Sequence, residues 1–308
     1  MDTTRKRGDA VTGRRRFASG EFTAADLVGY KGSTTVSVCL PARNEEATVG
    51  TIVQVVRTEL MDKLGLVDEL IVMDDHSTDR TAAVAEAAGA TVVACADVLT
   101  HLGNQPGKGE TLWKSLFAST GDIVVWCDSD VANFGPHFIS GLLGPLLTDD
   151  SIGYCKGFYH RPVGADQRGG GRTTELVARP LIAVLFPELG QIVQPLAGEY
   201  AGRRDVLERV PFVQGYGVEM GLLIDVWRLA GLDAIAQVDL GTRVHRNRPL
   251  HELSSQATEV IQVALHRADR TLVDTAITLR RPGFAETEIT MQERPPLIEV
   301  TGYFRQTH

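Results

Sequence analysis

Short apolar runs that each end in a polar cluster recur through the first half of the chain, and nothing else in the sequence constrains the fold as tightly. TTVSVCLPA (34–42), ELIVMDD (69–75), TVVACAD (91–97) and DIVVWCDSD (122–130) each read as a strand buried on both faces. Stretches of helical period separate them. NEEATVGTIVQVVRTEL (44–60) predicts a helix with Asn44 as N-cap and Glu45-Glu46 in its first turn. RTAAVAEAAG predicts a second helix, stopped by Gly89, and a third runs through LWKSLFAST. The β-α-β-α-β order predicts an α/β fold, with a mostly parallel sheet flanked by helices. Ligands of such sheets bind beyond the carboxyl ends of the strands. The polar clusters after the first, second and fourth strands should therefore converge on one edge.

The last of these clusters is Asp128-Ser129-Asp130. Strand side chains alternate, so Asp128 and Asp130 can point one way and Ser129 the other. Two carboxylates on one side of a strand end suit a hard divalent cation, although a lone D-x-D also serves simply to cap a strand. The formal net charge of −8 argues against non-specific nucleic-acid binding. No apolar run approaches the length needed to span a bilayer. The basic N-terminus lacks an apolar segment behind it and reads as a solvated arm rather than a secretory signal. Cys39, Cys95, Cys127 and Cys155 lie in apolar stretches without C-x-x-C spacing, as small buried hydrophobes in a reducing compartment do. A cytoplasmic location is expected.

Beyond residue 136 the order loosens. PHFISGLLGPLL reads as a helix, SIGYCKGFYHR (151–161) as a strand that could run antiparallel, and AIAQVDLGTRVHRNRPL (234–250) as a strand ending in a basic loop. HELSSQATEVIQVALHR follows as a helix, and the pattern fades after residue 268. The expected division is a mobile arm over 1–33, a nucleotide-sugar-binding half over 34–135, an acceptor-binding half over 136–268, and an extension over 269–308.

LPARNEE, MDDHSTDRT, PGKGETLWKSL and CDSD, in that order, resemble the nucleotide-sugar-binding half of a GT-A glycosyltransferase, with its Rossmann-like sheet. GGGRTTELVARPL (169–181), QPLAGEYAGRRDVL (194–207), PFVQGYGVEMGLLIDV (211–226) and LDAIAQVDLGTRVHRNRPL (232–250) look like the actinobacterial glucosyl-3-phosphoglycerate synthases. The related mannosyl-3-phosphoglycerate synthases stand close behind. The resemblance covers roughly residues 34–267 and implies a mixed acceptor-binding region after the parallel sheet.

That resemblance implies the roles of particular residues. Asp130 and His245 would bind Mg2+ or Mn2+, with Asp128 beside them. Pro41, Arg43 and Glu45 would hold base and ribose, and Asp75, His76, Lys108 and Ser129 would also lie on the donor side. Asp75-His76 departs from the Ser-Gly expected in this turn, and Arg43 departs from an apolar residue, so these positions bear on UDP versus GDP. Gly171, Arg172, Thr174 and Asn247 would bind the acceptor, 3-phosphoglycerate, and physical chemistry agrees for the first three. Backbone N–H groups at a helix start bind anions, and an arginine adds a charged fork. Glu219 is the motif carboxylate expected near the sugar, hydrogen-bonding its hydroxyls rather than attacking. Thr174 and the carbonyl of Leu196 are candidates to assist the acceptor hydroxyl along a front-face path. Members of the family commonly dimerise, which implies a homodimer.

The expected activity is retaining transfer of a hexose from a nucleotide sugar, UDP-glucose favoured, to the 2-hydroxyl of 3-phosphoglycerate. The alternatives are the same chemistry from GDP-mannose, with dual donor use open, and transfer to a polyprenyl phosphate. The last leaves GGGRTTEL unexplained and lacks its membrane segment. A nucleotidyltransferase would want a glycine- and arginine-rich loop where this chain has PARNEE. A catalytically dead binding module is opposed by intact Asp128, Asp130 and His245.

Overall fold

The computed structural model describes residues 15–161, 171–244, 253–269, 276–279 and 285–303. Its strands are β1 (Arg16–Ala18), β2 (Val36–Ala42), β3 (Glu69–Asp74), β4 (Thr91–Ala94), β5 (Ile123–Trp126), β6 (Tyr154–His160), β7 (Tyr200–Arg203), β8 (Phe212–Val213), β9 (Ile235–Thr242), β10 (Ala276–Leu279), β11 (Thr287–Thr290) and β12 (Glu293–Arg294). The helices are α1 (Ala24–Lys31), α2 (Val49–Val55), α3 (Thr81–Ala87), α4 (Lys108–Ala118), α5 (His137–Thr148), α6 (Arg179–Leu185), α7 (Arg204–Leu207), α8 (Val218–Ala230) and α9 (Leu253–Arg267).

One eight-stranded sheet, in the order β1-β9-β6-β7-β5-β2-β3-β4, carries the site. All its neighbours pair in parallel except β7, which runs antiparallel to both β5 and β6. Alternate residues of β2 and β5 feed two cores. Val38, Leu40, Ile123 and Val125 face the layer containing α1, α2, α3 and α5. Cys39, Val124 and Trp126 face the layer containing α4, α8 and α9. Burial on both faces explains why these strands read as unbroken apolar runs.

Several expectations need correction. The arm expected over 1–33 belongs to the fold from residue 16. β1 pairs with β9 in parallel, and Leu27 on α1 is buried in the core. Thr23 caps α1, accepting from the Asp26 N–H. Asn44 is not an N-cap. It sits at φ 57°, and its Oδ1 accepts from the Thr78 N–H at 2.8 Å. Its reach across to the neighbouring turn displaces the helix start to Val49, so Glu45 and Glu46 precede α2. Of the four cysteines, all buried, Cys95 and Cys127 fall just beyond their strands. The nucleotide and acceptor halves share the one sheet. The extension over 269–308 contributes β12, which pairs with β8, and a buried Leu297. Residues 304–308 and the basic N-terminal residues 1–14 lie outside the described residues. No helix among those described is long and apolar enough to cross a membrane.

Candidate active site

The carboxyl ends of the parallel strands open into a cleft of about 540 Å³. Arg43 follows β2, Asp75 follows β3, Asp128 and Asp130 lie just beyond β5, Arg161 follows β6 and Arg243 follows β9, and all of these line it. Because β7 runs the other way, the residues before it, Leu196 and Gly198, reach the same edge. Among the sequence-derived candidates, Pro41, Glu45, Lys108, Ser129, Gly171, Arg172, Thr174 and Glu219 also line the cleft. His76 does not. It stands behind Asp75, with Nδ1 2.9 Å from Asp75 Oδ1. His245 and Asn247 lie outside the described residues, as do Arg246 and Arg248.

A buried ion cluster forms the floor. Lys108 Nζ lies 2.5 Å from Asp128 Oδ1 and 2.7 Å from Glu219 Oε1. The Arg243 guanidinium donates to Asp128 Oδ2 at 2.9 Å and to Asp130 Oδ1 at 2.5 Å. It also pairs with Glu199, donating to Oε2 at 3.4 Å while Oε1 stands 3.2 Å away without hydrogen-bond geometry. Asp128 and Asp130 thus share one face, although the strand has already ended at Trp126. Ser129 points elsewhere, donating to the Pro41 carbonyl at 2.8 Å.

Burial opposes charge on Asp128, but Lys108 and Arg243 outweigh it and hold the carboxyl well below its usual range. Burial likewise disfavours the Lys108 ammonium, and Asp128 and Glu219 more than restore it. Burial, then the charge of Asp130, raises the Glu45 carboxyl to about 7. Behind the floor, burial lowers the Lys156 ammonium to about 7. Gly198 is required by the packing: a Cβ there would stand 2.1 Å from Asp128 Oδ2.

The charges test whether a divalent cation suits this place. Lys108 and Arg243 pair with four carboxylates, Asp128, Asp130, Glu199 and Glu219, so that negative charge is in excess among the directly paired groups, although burial pushes Glu199 toward its neutral form. Asp130 is the least enclosed of the four, with 30% of its side chain accessible. The second oxygen of Asp130 suits a hard cation, while among the described residues no group of three or more His, Cys, Asp or Glu side chains is placed to hold one. Asp128 fits it less well, since one oxygen is held by Lys108 and the other by Arg243. Its expected place as a ligand gives way to that of a brace between two cations.

The opposite wall is the helical run over residues 172–185, with Gly171 at φ 79° before it. Arg172, Thr173 and Thr174 form its first turn and line the cleft. Main-chain N–H groups at a helix start and a guanidinium thus border the cleft together, the kind of donors that anions accept from.

Residues 37–210 match the model of glycosyl transferase family 2. Over 288 residues the chain is 51% identical to the glucosyl-3-phosphoglycerate synthase of Mycolicibacterium smegmatis, an alignment covering 90% of this chain and 93% of that one. This chain belongs to the glucosyl-3-phosphoglycerate synthase family. The glucosyl-3-phosphoglycerate synthase of Mycobacterium tuberculosis in complex with phosphoglyceric acid has the same fold. Its TM-score is 0.85 at 47% identity, covering 92% of this chain and 98% of that one. A structure of that enzyme with Mn2+, UDP-glucose and phosphoglyceric acid gives a TM-score of 0.82 at 48% identity, covering 90% and 95%.

Among the residues of this cleft that sequence reasoning passed over are Arg161, Tyr216, Arg243 and Glu259. Glu259 on α9 accepts from the Tyr216 N–H at 2.5 Å, fixing the turn before α8. Arg243 carried one signal, its place in the basic string that ends β9. Its partners Asp128 and Asp130 lie more than a hundred residues away and Glu199 lies 44 away, separations that no local pattern reveals.

Proposed function

We propose that this chain is a metal-dependent, retaining hexosyltransferase that moves glucose from UDP-glucose to the 2-hydroxyl of 3-phosphoglycerate, giving glucosyl-3-phosphoglycerate. One observation carries the reading. A carboxylate cluster with an excess of negative charge stands in one cleft with a glycine–arginine–threonine helix start. The first suits a cation-bound diphosphate and the second an anionic acceptor.

Asp130 would hold Mg2+ or Mn2+, with His245 as the expected second ligand. When bound, the cation supplies positive charge at the leaving diphosphate. The chain's own residues do the rest. Arg172 and the N–H groups of the following turn hold the acceptor phosphate, and Thr174 and the Leu196 carbonyl orient its hydroxyl. Lys108 fixes Glu219 as an acceptor for sugar hydroxyls and keeps it paired, so front-face transfer is favoured over a covalent glycosyl-enzyme. Pre-set dipoles and charges lower the barrier without reorganising during reaction.

The test is a donor panel. The protein, 3-phosphoglycerate and Mg2+ or Mn2+ are offered UDP-glucose, GDP-glucose, GDP-mannose and ADP-glucose, and product is read by mass and anomeric NMR. An α-glucosyl product from UDP-glucose supports the proposal. Exclusive use of GDP-mannose would move the chain to the mannosyl reaction, and no product with any donor would end the reading.

A further inference from the structure

The helical run over residues 172–185 walls the cleft with its first turn, and its hydrogen-bond ladder is not uniform. It begins as an α-helix, with the Glu175 N–H donating to the Gly171 carbonyl at 3.0 Å. Over Thr174–Ala178 it widens into a π turn. The Arg179 N–H passes over the Glu175 carbonyl and donates to that of Thr174, five residues back. From Arg179 the ladder is α-helical again, and it closes where the Phe186 N–H donates to the Ile182 carbonyl at 2.8 Å. A second wide turn, Val56–Asp62, ends its helix, so no turn after it has to keep its phase.

Pro180 stands where the widened turn closes. It has no N–H to give to the Leu176 carbonyl, and in an unbroken α-helix its ring would press on that carbonyl. The break lets α6 start afresh at Arg179, with Pro180 in its first turn, where a missing donor costs least. Pro180 is exposed and does not line the cleft.

After the break the helix is fixed in place. Ala178, Ile182 and Phe186 are buried in the core, the Phe186 ring meets Trp227 edge-on at 6.5 Å, and Arg179 donates to the Val193 carbonyl at 2.6 Å. Before the break, Arg172 and Thr174 line the cleft. Glu175 does not: it pairs with Arg179 at 2.7 Å, and 58% of its side chain is accessible. One extra residue in a turn rotates everything before it by one residue's step, roughly 100°. In an unbroken helix Glu175 would take the place of Thr174 and turn a carboxylate toward an anionic acceptor.

We propose that Pro180 is a positioning residue for the acceptor, on the reading that Arg172 and Thr174 hold the phosphate of 3-phosphoglycerate. It forces the wide turn at Thr174–Ala178, and that turn sets the helical phase that aims Arg172 and Thr174 at the cleft.

Pro180→Ala supplies the missing N–H and removes the ring, so the run should close into an unbroken α-helix with its start rotated. Kinetics are measured on the full chain with Mn2+, UDP-glucose and 3-phosphoglycerate, and UDP binding by calorimetry. In P180A the KM for 3-phosphoglycerate should rise by about tenfold or more, with UDP affinity within about twofold of wild type. Deleting Leu176, which is 72% exposed, from P180A takes the extra residue out of the turn and restores the phase. The KM should return to within about threefold of wild type, a rescue that mere damage to the helix would not give. Where the shortened chain loses UDP binding, Glu175→Gln in P180A decides instead, and loss of the carboxylate should recover at least about threefold. An unchanged KM in P180A overturns the inference. So does a loss of UDP affinity equal to that for 3-phosphoglycerate, or a loss that neither second change relieves. A wild type that fails to transfer glucose to 3-phosphoglycerate sinks the parent reading, whereas transfer with an unaffected P180A sinks this inference alone.

Discussion

Two buried charge clusters lie within the same layer of this molecule, and they are built to opposite specifications. The first, on the cleft floor, joins Lys108 and Arg243 to four carboxylates and opens to solvent through Asp130. The second lies further along α4. Glu110 and Lys114, both 0% exposed, pair at 3.3 Å, and Arg294 grips Glu110 with two bonds of 2.7 and 2.9 Å. The spare donors of Lys114 and Arg294 end on the carbonyls of Cys95, Gly103 and Leu102. This cluster balances its charges with main-chain dipoles and stays closed. It ties β12 to α4, so the C-terminal segment holds β8 against the start of that helix. Gly109 is needed there, since a Cβ would stand 1.6 Å from the Val213 carbonyl oxygen. The lesson is in how the surplus charge is met: the brace's surplus cation is capped by main-chain carbonyls, whereas the floor's surplus is negative and faces the cleft through Asp130.

That contrast can be broken from either side. The largest effect is expected from Asp130→Asn, which removes the most accessible carboxylate of the floor. Steady-state turnover should fall by about three orders of magnitude while the thermal midpoint moves little. An unaltered rate would remove Asp130 from the chemistry. Glu110→Gln attacks the brace and leaves Arg294 and Lys114 without their carboxylate. Urea unfolding should show a loss of about 3–5 kcal/mol. A stable variant would show that the carbonyls suffice. Arg172→Ala tests the anion wall, and the KM for 3-phosphoglycerate should rise roughly tenfold to a hundredfold, with the affinity for UDP retained. Equal losses for both ligands would argue against a separate acceptor site.

A pH-dependent effect concerns Lys156, which lies between the two designs. It is 1% exposed, donates to the Ala197 carbonyl at 2.9 Å and stands 4.7 Å from the Tyr200 ring centre. Burial lowers its pKa from 10.5 to about 7. Between those values the unfolded chain holds a proton that the folded chain lacks, so stability rises with pH there. Below about 7 the folded chain is protonated too, and the contribution has been lost. Lys156→Met should remove a slope approaching 1.4 kcal/mol per pH unit from unfolding curves taken between about pH 7 and 10. Parallel curves for both proteins would show an ammonium of ordinary basicity.

Legibility in the sequence followed the range of the interactions. Asp128 and Asp130 were expected on one face from strand alternation and are found together, although beyond the strand's end and bridged by Arg243, and Gly171-Arg172-Thr173-Thr174 could be read as a helix start because that signal is local. Asn44 was misread because an N-cap and a cross-turn acceptor use the same short side chain, and only the nearby Thr78 N–H decides between them. His76 was expected against the donor, yet its ring supports Asp75 from behind. Arg243 and Glu199 were missed because each acquires meaning only from carboxylates or cations brought from other strands.

The sequence by itself determined the order of strands and helices, the burial of β2 to β5, and the collection of polar turns at one edge. These follow from periodicities of two and 3.6 residues and from a parallel sheet's need for cover on both faces. Tertiary structure decided which charges neutralise which. It made Asp128 a brace, left Asp130 the most accessible carboxylate of the floor and placed His76 behind the cleft wall. It also drew residues 16–31 and the C-terminal strand into the fold. The physical reason is that a buried ion pair depends on separations of a few ångströms between groups whose distance along the chain is unrelated to their distance in space.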